Sequence, residues 1–210
     1  MTSAPAAAAR ITIAGPVGSI EALLEDPGLD GAGFAVICHP HPQFGGTMDN
    51  KVVTTLARAI HECGMASLRF NFRGVGASEG VFDHGIGETE DALAVLDWGR
   101  SRWPGRLVIA GFSFGAYVSM RVAQVREPDR VILVAPPVGR FDFAGLRPPS
   151  CPWMVVQGDA DDVVDPAAVT GWAGAVTPTP RLLVLPGVGH FFHRHLLELQ
   201  DAVVDEIRSA

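Results

Sequence analysis

Lysine is nearly missing from this chain of 210 residues: Lys51 is the single one, and the formal net charge is −7. With no basic stripe or lysine-arginine run, nucleic acid is excluded as an expected partner. Cysteine is scarce too. Cys38, Cys63 and Cys151 lie far apart without C-x-x-C spacing, which argues against a structural zinc site or a disulfide framework. Reduced thiols and a cytoplasmic location are the expectation. No apolar run is long enough to span a bilayer. The opening MTSAPAAAAR carries its arginine after the alanines, whereas a secretory signal places positive charge first. Internal repeats are missing, and the only biased stretch is that alanine-rich start. Residues 1–210 are therefore expected to form a single domain with residues 1–9 flexible, and no membrane partner.

What the sequence does contain is an alternation of two patterns. Short apolar runs (RITIAG, GSIEALLE, GFAVICH, ASLRFNF, RLVIAGF, RVILVAP, PWMVVQG, RLLVLPG) read as strands, the first two as a hairpin. Between them stand helical segments: NKVVTTLARAIHECG, closing at Gly64, then ETEDALAVLDWGRSRW with acidic residues in its first turn, FGAYVSMRVAQVRE, PAAVTGWAGAV and HRHLLELQDAVVDEIRSA. Near-continuous apolar strands alternating with helices imply a mostly parallel sheet covered on both faces, an α/β fold. Sites in such sheets lie beyond the carboxyl ends of the strands, which directs attention to the loops after Cys38, Phe72, Phe112, Ala135, Gln157 and Leu185.

One of those loops reads Gly111-Phe112-Ser113-Phe114-Gly115, a G-x-S-x-G pattern between a strand and a helix. A turn this tight leaves no room for flanking side chains and lifts the serine hydroxyl off the sheet. A hydroxyl is a weak nucleophile and needs a base. His190 follows the last strand through a glycine-rich loop and is the candidate base. The base needs an acid to orient it. Among Asp159, Asp161, Asp162 and Asp165, the last reads as an N-cap before Pro166. Asp161, spaced between Gly158 and Val164, is the candidate acid, with Asp159 as its alternative. A tetrahedral oxyanion needs backbone donors. Phe114 N–H is one, and His41 N–H, with Gln43 second, is the other, because Pro40 and Pro42 have no N–H to give.

These stretches, with CHPHPQFGGTMDNKVV, FNFRGVGASEG, GFSFGAY, QGDADDVVDP and GVGHFFH as they stand here, resemble the α/β-hydrolase superfamily over essentially the whole chain. The likeness is greatest to small, lidless bacterial members of the carboxylesterase and dienelactone-hydrolase type. Dienelactone hydrolases use a cysteine nucleophile, and the serine at position 113 moves the expectation towards an esterase. The resemblance implies an eight-stranded, mostly parallel sheet with its second strand antiparallel, flanked by helices and without a lid domain. It supports a Ser113-Asp161-His190 triad acting on a small ester or thioester through an acyl-enzyme; no cofactor is expected, the His190-x-x-His193-x-His195 spacing argues against a metal, and a monomer or homodimer is expected.

The remaining features carry structural expectations. Arg73, in the loop NFRGVGASEG, is expected to brace that loop. Trp98, Trp103, Trp153 and Trp172 are expected in the core, and His193 and His195 at or inside the closing helix. Phe141, Phe143 and Leu146, in the segment that joins two strands between proline pairs, either wall the site or cover the sheet edge.

Overall fold

The computed structural model describes residues 7–28 and 32–209. Eight strands form one sheet: β1 Ala7–Gly15, β2 Gly18–Asp26, β3 Gly33–Cys38, β4 Ala66–Phe70, β5 Arg106–Phe112, β6 Arg130–Val134, β7 Trp153–Gly158 and β8 Arg181–Leu185. Their spatial order is β1-β2-β4-β3-β5-β6-β7-β8. β2 runs antiparallel to both of its neighbours, and every other pairing is parallel. The first strand begins earlier than the flexible start expected for residues 1–9. Ala7, Ala8 and Ala9 pair with Asp26, Glu25 and Leu24, and the ladder holds them. The rest of that stretch lies outside the described residues.

The period-two alternation of strands divides their side chains between two cores. In β3, Phe34, Val36 and Cys38 join one core, and Ala35 and Ile37 the other. In β5, Leu107 and Ile109 face the first, and Val108, Ala110 and Phe112 the second. Helices α1 (Lys51–Glu62) and α5 (Leu196–Arg208) cover the second core, while α2 (Ile86–Arg100), α3 (Phe114–Val122) and α4 (Pro166–Ala175) cover the first. Trp153 is buried and donates its indole N–H to the Pro178 carbonyl at 3.1 Å, and Trp98, Trp103 and Trp172 pack half-buried against the same core.

Local chemistry fixes the helix ends. Asn50 caps α1 by accepting Val52 N–H at 2.9 Å. At the other end Gly64, with φ 74°, lets its own N–H reach the His61 carbonyl and Met65 N–H the Ile60 carbonyl. Asp165 caps α4 ahead of Pro166. Two helices are shorter than their sequences suggest. α3 ends at Val122 because Gln124 and Val125 bond three residues back, into tight turns. α5 starts only at Leu196, since Phe192 (φ 53°) and Arg194 (φ 69°) break the helical path. His193 therefore precedes the helix and His195 occupies its N-cap position. The 135–152 segment between β6 and β7 contains no helix.

The C-terminal helix is tied to the sheet by charge as well as packing. Arg130, entering β6, meets Glu206 of α5 at 2.5 Å, both side chains 5% exposed. Arg181 adds a second contact at 3.2 Å. Removing one partner of a buried pair strands the other charge. Glu206→Ala is expected to lower unfolding free energy by about 3–5 kcal/mol, read as a shift of the urea midpoint at unchanged m-value.

Candidate active site

Ser113 sits between β5 and α3 at φ 53°, a left-handed backbone that a non-glycine residue adopts only when its surroundings impose it. The surroundings here are backbone on backbone. A Cβ on Gly111 would run into the Gly115 carbonyl, and one on Gly115 into the Cys38 carbonyl at the end of β3. Ser113 N–H is anchored to the Val134 carbonyl of β6 at 2.8 Å, and its own carbonyl accepts Ala116 N–H at 2.8 Å. The two glycines thus let α3 start directly against the sheet, with the serine side chain on the outside of the bend.

The structure brings together Ser113, His190 and Asp161, from the loops after β5, β8 and β7. Their relative exposures are 9%, 4% and 8%. His190 Nε2 lies 3.2 Å from Ser113 Oγ, and Nδ1 lies 2.8 Å from Asp161 Oδ2. An ionised carboxylate only accepts, so Nδ1 carries the proton and Nε2 presents a lone pair to the hydroxyl. Asp161 is held by more than the histidine. Val163 and Val164 N–H groups each donate to Oδ1 at 2.8 Å, and Gln157 Nε2 donates to Oδ2 at 3.0 Å. Burial acts to raise the Asp161 pKa, but the bonds from His190, Val164 and Val163 outweigh it and hold the carboxyl below its ordinary range. Asp159 lies apart from this group and receives Gly187 N–H at 2.6 Å, fastening the loop that leads to His190. Asp162 and Asp165 point elsewhere: Asp162 is exposed and Asp165 caps α4.

Beside the serine opens a cavity of about 380 Å³, to which His41, Phe114, Phe141 and Phe191 contribute. Phe114 N–H opens α3, where first-turn amides have no partner within the helix. His41 precedes the short turn Pro42–Phe44. Its ring accepts Gln43 N–H at 3.2 Å, which commits the alternative donor Gln43 to the loop itself. The His41 ring also packs on Phe44, Phe82 and Phe114, with centroids 4.8–5.0 Å apart. The Phe141/Phe143 alternatives resolve by residue. Phe141 stacks on Tyr117 at 4.8 Å and lines the cavity, while Phe143 is buried in the core against Tyr117 and Trp172. Leu146 packs half-buried against that core.

Two braces stand behind the site, and in each the sequence hid a member. Arg73 forms a fork-like pair with buried Asp91 of α2 (2.8–3.2 Å), and Asp91 also accepts Arg73 N–H at 2.9 Å. That matches the bracing role expected of Arg73, but the acid in α2 read only as a helix-dipole complement. Its neighbour Glu88 is likewise fully buried and accepts from Asp83 and Gly85 N–H. Gln157 was hidden inside an apolar strand run. The other histidines are scattered. His193 is exposed, and His195 is half-buried and meets Glu198. Among the described residues no three His, Cys, Asp or Glu are grouped to hold a metal ion. Nor is any helix there long and apolar enough to cross a membrane.

Known proteins share this fold. The family model for X-Pro dipeptidyl-peptidase (S15 family) matches residues 27–146. An α/β serine hydrolase without a lid from Xanthomonas campestris is 46% identical, with TM-score 0.91, 99% of this chain and 97% of that one covered. The chain belongs to the α/β serine hydrolases. An α/β serine hydrolase homologue from Coxiella burnetii is 45% identical, with TM-score 0.90 and coverage of 94% and 96%. An uncharacterized protein of Rickettsia prowazekii is 35% identical over 207 residues, 93% of this chain and 87% of its own length. By its match the hydrolase also belongs with the S15 family, whose matched stretch contains Ser113 and stops short of Asp161 and His190.

One more histidine supports the hydrolase's loops. His39 is fully buried, with Nδ1 donating to the Pro40 carbonyl at 2.6 Å and Nε2 accepting Phe72 N–H at 3.0 Å. It ties the loop after β3 to the one after β4 and is held neutral, burial pushing its pKa down to about 3. A histidine depressed in the folded state binds its proton preferentially in the unfolded one. Its contribution is complete above the unfolded pKa near 6.5 and declines as pH falls from there towards 3, by up to ~1.4 kcal/mol per pH unit. Urea unfolding between pH 7 and 4.5 should show a steeper loss of stability in the wild type than in His39→Gln, which has no proton to take up.

Proposed function

We propose that this serine hydrolase cleaves small carboxylic esters through an acyl-enzyme, with Ser113 as nucleophile, His190 as base and then acid, and Asp161 as the orienting carboxylate. The observation that carries the reading is the unbroken hydrogen-bonded line Asp161–His190–Ser113, opening onto a cavity. In the acylation step His190 Nε2 takes the Ser113 proton as Oγ attacks the carbonyl carbon. The imidazolium so formed is stabilised by Asp161 and returns the proton to the leaving alkoxide. Water then repeats the sequence on the acyl group, releasing acid and regenerating Ser113. The oxyanion of each tetrahedral intermediate is held by the N–H groups of Phe114 and His41. A thioester fits the same steps, because only the leaving atom changes.

The acyl site is short. From the 135–152 segment only the turn with Pro137, Arg140 and Phe141 reaches the cavity, since Phe143 is committed to the core. Each buried methylene adds about 0.8 kcal/mol only where a wall receives it. A second reading is favoured by the family match: an amide or peptide bond, as in an X-Pro dipeptidyl-peptidase.

A panel separates these readings. Ser113→Ala should cut kcat by about 10⁴-fold or more while leaving the fold and its melting intact, and should abolish labelling by a fluorophosphonate probe. Among p-nitrophenyl esters, kcat/KM should peak between acetate and hexanoate and decline beyond. Faster release from X-Pro-p-nitroanilides than from any ester would transfer the assignment to a peptidase; absence of labelling with all substrates inert would leave a binding protein.

The acid is tested separately. Asp161→Asn should cripple turnover by favouring the wrong His190 tautomer. Asp159→Asn should act on stability or loop order, because its partner is the Gly187 amide. The reverse pattern in kcat would make Asp159 the acid.

A further inference from the structure

We propose that Arg140 is a substrate-selecting cation, and that the preferred esters carry a carboxylate at the end of the acyl chain remote from the scissile bond. The inference rests on the ester reading of the site and names its substrate class. Among the described residues, Arg140 is the one residue of Asp, Glu, Lys or Arg type lining the cavity that holds Ser113; the other walls are mostly aromatic and aliphatic.

Its backbone is fixed while its side chain is uncommitted. Arg140 N–H and Phe141 N–H both donate to the Pro137 carbonyl, at 3.1 and 3.3 Å, and the turn also uses Gly139 at φ 86°. The next ring, Phe141, is clamped on Tyr117. Arg140 itself is exposed, and its guanidinium enters no ion pair or hydrogen bond among the described residues. Arg69, Arg73, Arg126, Arg130 and Arg181 are each paired with a carboxylate, and of the arginines without such a partner it is Arg140 that lines this cavity. A second recess shares Arg140 with Asp161, Asp162 and Asp165, yet none of these acids comes within ion-pair distance of it.

A planar guanidinium on a held turn, at the rim of a mostly apolar cavity, suits two-pronged recognition of a carboxylate. The net charge of −7 works against attracting an anion from a distance, so the selection has to act at contact.

The test compares monoethyl adipate with ethyl hexanoate, which replaces the remote carboxylate by a methyl group. Hydrolysis is followed by acid release at pH 7.5. The quantity of interest is the ratio of the two kcat/KM values within each protein, so that a general loss of activity cancels. In the wild type the ratio should favour the anionic ester by about five- to twentyfold, between the effects of an exposed and a sheltered charged hydrogen bond. Arg140→Ala should bring it to about one or below, Arg140→Lys should restore part of it, and Arg140→Glu should invert it. An unchanged ratio in Arg140→Ala overturns the inference. Calorimetric binding of both esters to Ser113→Ala protein, with and without Arg140→Ala, decides the matter if neither ester is turned over. Tighter binding of the adipate ester that depends on Arg140 would then uphold the cation while the ester reading fails. Equal binding of the two esters would overturn the cation.

Discussion

The close approach of three backbone segments under Ser113 is the constraint on which the rest depends. Gly111 at the end of β5, Gly115 in the first turn of α3 and the Cys38 carbonyl at the end of β3 occupy one another's side-chain space. Any side chain larger than hydrogen there would push the helix off the sheet. Because the helix cannot retreat, Ser113 is forced to φ 53°, and the strain is met by bonds to Val134 and from Ala116. The same contact sets where α3 begins, hence where the Phe114 amide stands, and where the chain after β3 leaves for the His39–Gly46 loop. Two loops that face the cavity are therefore referred to a single point of contact.

Around that fixed point the polar groups are arranged in depth. Asp161 takes four donors, and Gln157 beneath it ties the carboxylate to β7. His39 and the Arg73–Asp91 fork stabilise the loops after β3 and β4 from behind. These groups are buried and, apart from Gln157 Oε1, which has no partner among the described residues, their polar atoms are paired, so the loops are stiffened by hydrogen bonds. Loops held in this way are preorganised, which is the general condition for electrostatic stabilisation of a developing charge.

What was legible in the sequence is what depends on neighbours along the chain. The strand alternation, the Asn50 and Asp165 caps, Gly64 at the end of α1 and the glycines around Ser113 all act within a few residues. His190 was legible because a glycine-rich loop after an apolar run places a side chain at the sheet's end. What escaped joins residues across the fold. Gln157 looks like an interruption of an apolar strand until Asp161 is seen folded back beside it. Asp91 looks like one more acid complementing the dipole at the start of α2 until Arg73 is brought to it from eighteen residues away. The ends of α3 and α5 were overestimated because helical periodicity continues through Arg121–Arg126 and through residues 193–195. Turns at Gln124 and left-handed residues at Phe192 and Arg194 end the helices anyway.

The connection between β6 and β7 has a meaning for evolvability. It leaves the sheet at Ala135 and returns at Trp153, touching the cavity only through the turn Pro137–Phe141. None of the groups that position Ser113, His190 or Asp161 lies within it apart from the Val134 carbonyl just before it. The entropy of closing a loop grows only logarithmically with its length, roughly 0.6 kcal/mol for each doubling. A lineage or a designer can thus splice a cover, a recognition arm or a whole appended module into this one interval while the reactive frame goes on folding as before. The bare enzyme is a chassis with one vacant mounting point.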